Sequence, residues 1–243
     1  MPSQPELLTD PFLQLPTATS VRVVWFTEFA GNRHTVVYGQ DLRQSAIAQT
    51  QKLSRTREDK YSKIQCPVQQ VVDRPVWRHE AEVVGLAPGV RLPYQVTSVR
   101  EDGATVRSRV FTLAAQPAPG SPLKILLTSD HQLKPMVTAN LQKVVETVGQ
   151  VDAVFFAGDL VNVADRASEW FDDDRGGAFF PALQGRAHYL LKPSGKRYVG
   201  GELIQHAPLF AAVGNHEVMG RFLPETDLEE QFYDAVPRSL AQE

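Results

Sequence analysis

The sequence predicts a two-domain chain, an all-β sandwich followed by an α/β unit with parallel strands. Three observations carry this expectation. Residues 1–118 hold short runs rich in β-branched and aromatic residues, separated by Gly/Pro punctuation. Residues 122–213 hold three apolar runs that each stop abruptly at a polar loop, with a helical pattern after the first. Between the two, Ala115–Pro122 carries three prolines and a glycine, a composition suited to an extended connector without a core of its own. The expected division is residues 1–116 and residues 122–243.

In chain order, Val21–Thr27 partly alternates and reads as the first long strand. Similar runs follow at His34–Tyr38, Gln69–Trp77, Glu80–Val84, Tyr94–Val99 and Val106–Leu113, with turn signals at Leu86-Ala87-Pro88-Gly89 and Asp102-Gly103. Six or so short strands in this length suggest two packed sheets. Asp41–Lys63 interrupts the pattern with Arg43, Lys52, Arg55, Arg57, Lys60 and Lys63 against few acids. It reads as a solvated loop in preference to a phosphate-seeking patch. His34 and His79 sit among strand residues and read as ordinary histidines. The single cysteine, Cys66, excludes an intramolecular disulfide and reads as a small apolar filler.

In the second half, Lys124–Thr128 runs into Ser129-Asp130-His131-Gln132. Val154–Ala157, a run fit for burial on both faces, ends at Gly158-Asp159. Leu209–Val213 ends at Gly214-Asn215-His216-Glu217. Met136–Val148 has apolar residues at helical spacing, so the first two strands make a crossover unit with parallel strands. In open sheets of this kind ligands sit outside the carboxyl ends of the strands. The oxygen and imidazole donors expected there suit one or two divalent metals. Val163–Pro208 is long and mixed; it reads either as a substrate-facing lid or as an exposed acidic loop with a small helix at Ala178–Leu183. Leu228, Phe232 and Val236 mark a last amphipathic helix.

The 243 residues are 42% hydrophobic and 22% charged, an ordinary globular composition. A net charge of −3 gives no sign of a nucleic-acid partner or a polybasic membrane anchor. No run approaches the roughly 20 apolar residues of a membrane span. The opening MPSQPELLTDPFLQLP lacks the basic and apolar regions of a signal peptide, so the default expectation is a cytoplasmic location. Nothing in the sequence indicates a protein partner.

Two stretches carry a resemblance to known families. Glu82–Gly89 followed by Tyr94-Gln95-Val96 resembles the corner of fibronectin type III-like domains. With Val21–Trp25 it is similar to the domain that precedes the catalytic domain of purple acid phosphatases. S-D-H-Q, G-D-L-V-N and G-N-H-E, in order and each closing an apolar strand, resemble the first three blocks of the calcineurin-like metallophosphoesterases. The resemblance implies a fibronectin type III-like sandwich followed by a partial α/β metallophosphoesterase domain. It implies hydrolysis of a phosphate ester substrate by water activated between two divalent or trivalent metal ions, Fe, Mn or Zn, about 3.5–4 Å apart.

By that resemblance Asp130 holds the first metal, Asp159 bridges both, Asn215 binds the second, and His216 stands beside the scissile ester as the catalytic imidazole. Gln132 stands where the family has a histidine, and Asn162 stands where purple acid phosphatases have a tyrosine. The first metal therefore takes a weak amide ligand, Gln132 or Asn162, or has an under-filled shell. His131 is displaced to the other side by strand alternation. No histidine follows His216, so the family's downstream histidine and its G-H-x-H block are absent. His206 precedes the third strand, on the order of 20 Å from Asn215 at strand rise, and His188 lies in the long insertion. The resemblance thus implies the front part of a longer phosphoesterase, with one face of the parallel sheet uncovered. The alternative reading is an inactive truncated remnant whose sandwich acts as a binding or interaction module.

Overall fold

In the computed structural model, which describes residues 7–218 and 227–233, the amino-terminal half forms two antiparallel sheets around one core. The first sheet runs Phe12–Gln14, Ser20–Thr27, Trp77–Val84, Gln49–Lys52. The second runs Thr105–Arg107, Leu92–Val99, Arg33–Tyr38, Gln44–Ile47, with Phe111–Leu113 also pairing with Leu92–Val99. Val21, Val23, Trp25, Ala81 and Val83 from one sheet meet Val36, Tyr94, Val96, Phe111 and Leu113 from the other. The corner identified in the sequence is built by the Leu86 N–H, which donates to the Thr19 carbonyl, and by Gly89 at φ 73°, where the missing side chain allows the turn.

Ser20–Thr27 alternates only partly because both of its faces are covered. Val21, Val23 and Trp25 face the sandwich core, whereas Val24 and Phe26 belong to the core of the second half. There Phe26 packs on Phe171 and Phe180 at ring-centroid distances of 5.2 and 5.4 Å, and Phe12 lies 5.1 Å from Phe180. The halves therefore share an apolar interface, and offset aromatic packing of this kind adds to simple area burial.

Ile125–Thr128, Ala153–Phe156 and Leu209–Ala211 form a parallel sheet in that order, with the helix Val137–Thr147 in the first crossover. Burial on both faces was the expectation for the middle strand, and the structure corrects it. Val154 and Phe156 are buried, but Phe155 is 40% exposed and Leu127 is 73% exposed. The helix and the long insertion cover one face of the sheet. Among the described residues the other face presents Ile125, Leu127 and Phe155, with Phe155 stacked on Phe210 at 4.8 Å.

Val163–Pro208 is not an exposed acidic loop, although the small helix expected at Ala178–Leu183 is present as Phe179–Leu183. It folds into Ala167–Phe171, Phe179–Leu183 and the hairpin Tyr189–Leu191/Lys196–Tyr198. Its Phe171, Phe179, Phe180, Leu183, Leu203 and Ile204 form the layer between sheet and sandwich, and burial of so many large apolar side chains explains its length. Arg57, Glu58 and Asp59 are buried as well, so the end of Asp41–Lys63 is not a solvated loop. Arg57 and Arg55 pair with Asp165, and Arg74 links Glu58 to Asp172, so the basic residues clamp the two halves together.

Several local expectations also shift. Gln69–Trp77 contributes only Val72–Asp73 and the first residue of Trp77–Val84, and Val106–Leu113 splits into two short strands. Cys66 is exposed on a surface segment, not packed as a filler. The last helix is described over Leu228–Tyr233, and Val236 lies outside the described residues. No helix among the described residues is long and apolar enough to cross a membrane.

Candidate metal centre

Three loops leave the carboxyl ends of the parallel strands and meet. The Asp130 N–H donates to the Gly158 carbonyl at 3.2 Å, and the Gln132 N–H donates to the Leu160 carbonyl at 3.2 Å, so the first two loops run side by side. Gly158 and Gly214 pass in backbone contact; a Cβ on Gly158, whose φ is +86°, would lie 2.7 Å from the Gly214 Cα. A Cβ on Gly214 would overlap the Asp159 carboxylate and its backbone nitrogen. Glycine is thus required at both positions by close approach.

Backbone strain is concentrated in the same place. Among the described residues six non-glycine positions have positive φ, and four of them, Asp130, Gln132, Leu133 and Asp159, lie in the first two loops. Each left-handed non-glycine residue costs about 1–2 kcal/mol, and such strain persists where the surroundings over-determine it. Both aspartates of the expected metal centre are held in this conformation, at φ 53° and 56°.

Of the expected residues, Gln132, Asn162 and His216 gather around Asp159, whereas the Asp130 carboxylate points to Lys134. Its Oδ2 accepts from Gln132 Nε2 at 3.2 Å and its Oδ1 accepts from the His216 backbone N–H at 3.2 Å. Asn162 donates from Nδ2 to the Gln132 carbonyl at 2.9 Å, while its own carbonyl accepts from His216 Nδ1 at 2.7 Å. A carbonyl only accepts, so Nδ1 carries the imidazole proton there. Asp130 is exposed; hydrogen bonds from Ser129 and Lys134 hold its carboxyl below the usual carboxylate range, and the charge of His216 acts in the same direction. Lys134 Nζ is 3.2 Å from Asp130 Oδ1. Asn215 is exposed on the third loop, between Gly214 and His216. A cleft of about 340 Å³ opens beside His216, bordered by Asn162 and Arg175 and, from the amino-terminal half, by Tyr61 and Lys63.

The sequence reading gave Glu217 no role, and it is the tie of the site. Its carboxylate accepts the N–H groups of Asp159 at 2.9 Å, Leu160 at 2.7 Å and Gly214 at 2.7 Å, binding the second loop to the third. Its place at the end of G-N-H-E was the available signal. Glu169 was also missed. It accepts from the N–H groups of Asn162 at 2.7 Å and Val163 at 3.1 Å; burial raises its pKa, against the pull of the neighbouring Arg166.

The other histidines stand apart. His131 is fully buried with its ring edge-on to Phe179 at 5.3 Å, and burial pushes its pKa down to about 3. His206 bonds Thr112 and Glu202 at the far end of the third strand. His188 lines a separate cleft of about 840 Å³ with Phe29, Asp172 and Arg186.

The donor chemistry fits a hard cation: the carboxylates of Asp130 and Asp159, with the amides of Gln132, Asn162 and Asn215 on the same loops. Gln132 turns its amide nitrogen toward Asp159, and a half-turn of the amide would present the oxygen instead. Among the described residues no group of three or more His, Cys, Asp or Glu is placed to hold a metal ion, so a cation held here would draw on the amides for the rest of its shell.

A parallel α/β sheet with acids, amides and an imidazole on the loops beyond its carboxyl ends has the layout of a metal-dependent hydrolase. Residues 123–241, just under half of the chain, match the calcineurin-like phosphoesterase family. Among solved structures the chain is similar to a purple acid phosphatase isolated from yellow lupin (Lupinus luteus) seeds, with a TM-score of 0.57 and 19% identity. That match covers 91% of this chain and 38% of the lupin chain, and shows a shared fold. A family 28 exopolygalacturonase of Yersinia enterocolitica aligns at a TM-score of 0.25 and 13% identity over 62% of this chain and 28% of its own, too weak for any argument. No curated protein matches the chain.

Proposed function

We propose that the chain hydrolyses phosphate esters at the carboxyl end of its parallel sheet. In this reading residues 1–116 are a fibronectin type III-like sandwich and residues 122–243 are part of a calcineurin-like phosphoesterase domain. One observation carries it: Asp130 and Asp159 leave adjacent parallel strands, both in strained left-handed conformations, beyond the same sheet edge. Asp130, Asp159 and Asn215, with Gln132 and Asn162, would hold two divalent or trivalent cations (Fe, Mn or Zn), which when bound polarise phosphoryl oxygens and acidify water.

The chain's own residues do the rest. Lys134 adds positive charge for the anionic ester beside Asp130. His216, its Nδ1 fixed on the Asn162 carbonyl, exchanges a proton with the leaving oxygen through Nε2. The cleft beside it, walled on one side by Tyr61 and Lys63, receives the leaving group. The test is turnover of a generic aryl phosphate with manganese, zinc or iron. Asp159→Asn should abolish turnover without moving the unfolding midpoint of the sandwich; equal turnover in the variant would overturn the proposal. A second reading, in which the sandwich is a binding module beside a metal-poor remnant, is favoured by the lack, among the described residues, of three clustered His, Cys, Asp or Glu.

A further inference from the structure

A chain of buried charged groups crosses from the amino-terminal half to the imidazole of the metal centre. It begins at Asp59, which is fully buried. The Asp59 carboxylate receives Arg166 in a two-pronged pair, Nε at 3.2 Å on Oδ1 and Nη2 at 3.0 Å on Oδ2. The remaining prong, Arg166 Nη1, donates to Glu169 Oε1 at 2.8 Å. The other oxygen of Glu169 holds the backbone N–H groups of Asn162 and Val163. The carbonyl of the same Asn162 takes the Nδ1 proton of His216.

The guanidinium is planar and rigid, so fixing one edge on Asp59 fixes the direction of the third nitrogen. Glu169 is thereby aimed at the two peptide units that flank Asn162, and the one joining Asn162 to Val163 carries the carbonyl that meets the ring of His216. Asp59 itself is held on its own side by the Tyr61 N–H at 3.1 Å and the Ser62 hydroxyl at 3.3 Å, and from the carboxyl-terminal half it also accepts the Leu228 N–H at 3.1 Å. The anchor is therefore stiff at the sandwich end and ends at the reacting imidazole. We propose that Asp59 is a positioning residue for His216, through which the amino-terminal half sets the geometry of proton transfer to the leaving group. This deepens the phosphoesterase reading and rests on it for its catalytic consequence; the structural link from Asp59 to His216 stands by itself.

The link is read first without turnover, on the full chain free of metal. Long-range proton–nitrogen spectra should show His216 with its proton on Nδ1. Asp59→Asn, which places an amide N–H against the guanidinium, should lose that tautomer preference. In the metal-loaded protein Asp59→Asn should slow an alkyl phosphate, whose leaving oxygen needs a proton, about tenfold more than a dinitrophenyl phosphate, whose leaving group does not. A residue that only stabilised the fold would slow both equally.

Should Asp59→Asn fail to fold, Glu169→Gln keeps the shape of the middle link and is expected to move both readouts the same way. An unchanged His216 tautomer in a folded variant overturns the proposal. So does a ratio between the two substrates that stays within about twofold of the parent's. If the parent turns over neither substrate, the phosphoesterase reading fails and the tautomer experiment alone decides the link.

Discussion

Lowering the pH should unfold the sandwich through His79. This imidazole is fully buried between the sheets, bonded to the hydroxyls of Thr27 at 2.8 Å and Thr50 at 2.9 Å, and stacked on His34 at 3.6 Å. Burial, with the neighbouring His34 adding to it, pushes its pKa down to about 3 from an ordinary 6.5. The unfolded chain therefore binds a proton near pH 6.5, while the folded chain refuses one until about pH 3. Unfolded chains hold more protons across that window, so stability rises with pH inside it. The contribution is fully present above pH 6.5 and is lost progressively as pH falls toward 3. At pH 5 the loss from this residue is about 2 kcal/mol relative to pH 8.

The assay is urea denaturation followed by tryptophan emission, since the Trp25 ring lies 5.4 Å from His79. Other groups also titrate, so the informative quantity is the pH 8 to pH 5 drop in wild type minus the same drop in His79→Gln. That difference should be about 2 kcal/mol. Equal drops in the two proteins would show that His79 is not held neutral, and the reasoning from burial would be wrong.

Three further outcomes are expected. Gly214→Ala should lower stability by about 1–3 kcal/mol and abolish metal retention, because its Cβ would overlap the Asp159 carboxylate; thermal melts and metal analysis read both. Glu217→Ala strips three backbone N–H groups of one acceptor and should cost about 2–3 kcal/mol in chemical denaturation, with the second and third loops gaining hydrogen exchange. The purified chain should bind a hydrophobic dye through Ile125, Leu127 and Phe155, and Leu127→Lys should reduce that fluorescence while changing stability by no more than about 0.5 kcal/mol.

Local patterns told the reader where the chain reverses and where its strands end. Ile125–Thr128, Ala153–Phe156 and Leu209–Ala211 each lie in an apolar run, and the parallel sense of the first two follows from one helix of adequate length between them. The meeting of Gln132, Asp159, Asn162 and His216 is a consequence of that topology. What the pattern hid was function shared between distant segments. Arg57, Glu58 and Asp59 look like a charged surface stretch until Asp165, Arg166 and Ser168, more than a hundred residues later, supply their partners. Ser20–Thr27 broke its alternation because each face meets a different core. Val154–Phe156 looked covered on both sides because a strand's apolar run reads the same whether one face or both are buried. Glu169 and Glu217 do their work by capping backbone N–H groups, and side-chain type alone does not announce that.

The central claim is that loops from three parallel strands hold metal through Asp130 and Asp159. Elemental analysis of the purified chain alongside its Asp159→Asn variant tests it most directly. The account predicts at least about one equivalent of transition metal in the parent and a clear loss in the variant. Equal metal content in the two proteins, or a metal-free parent after reconstitution with manganese, zinc and iron, would contradict it.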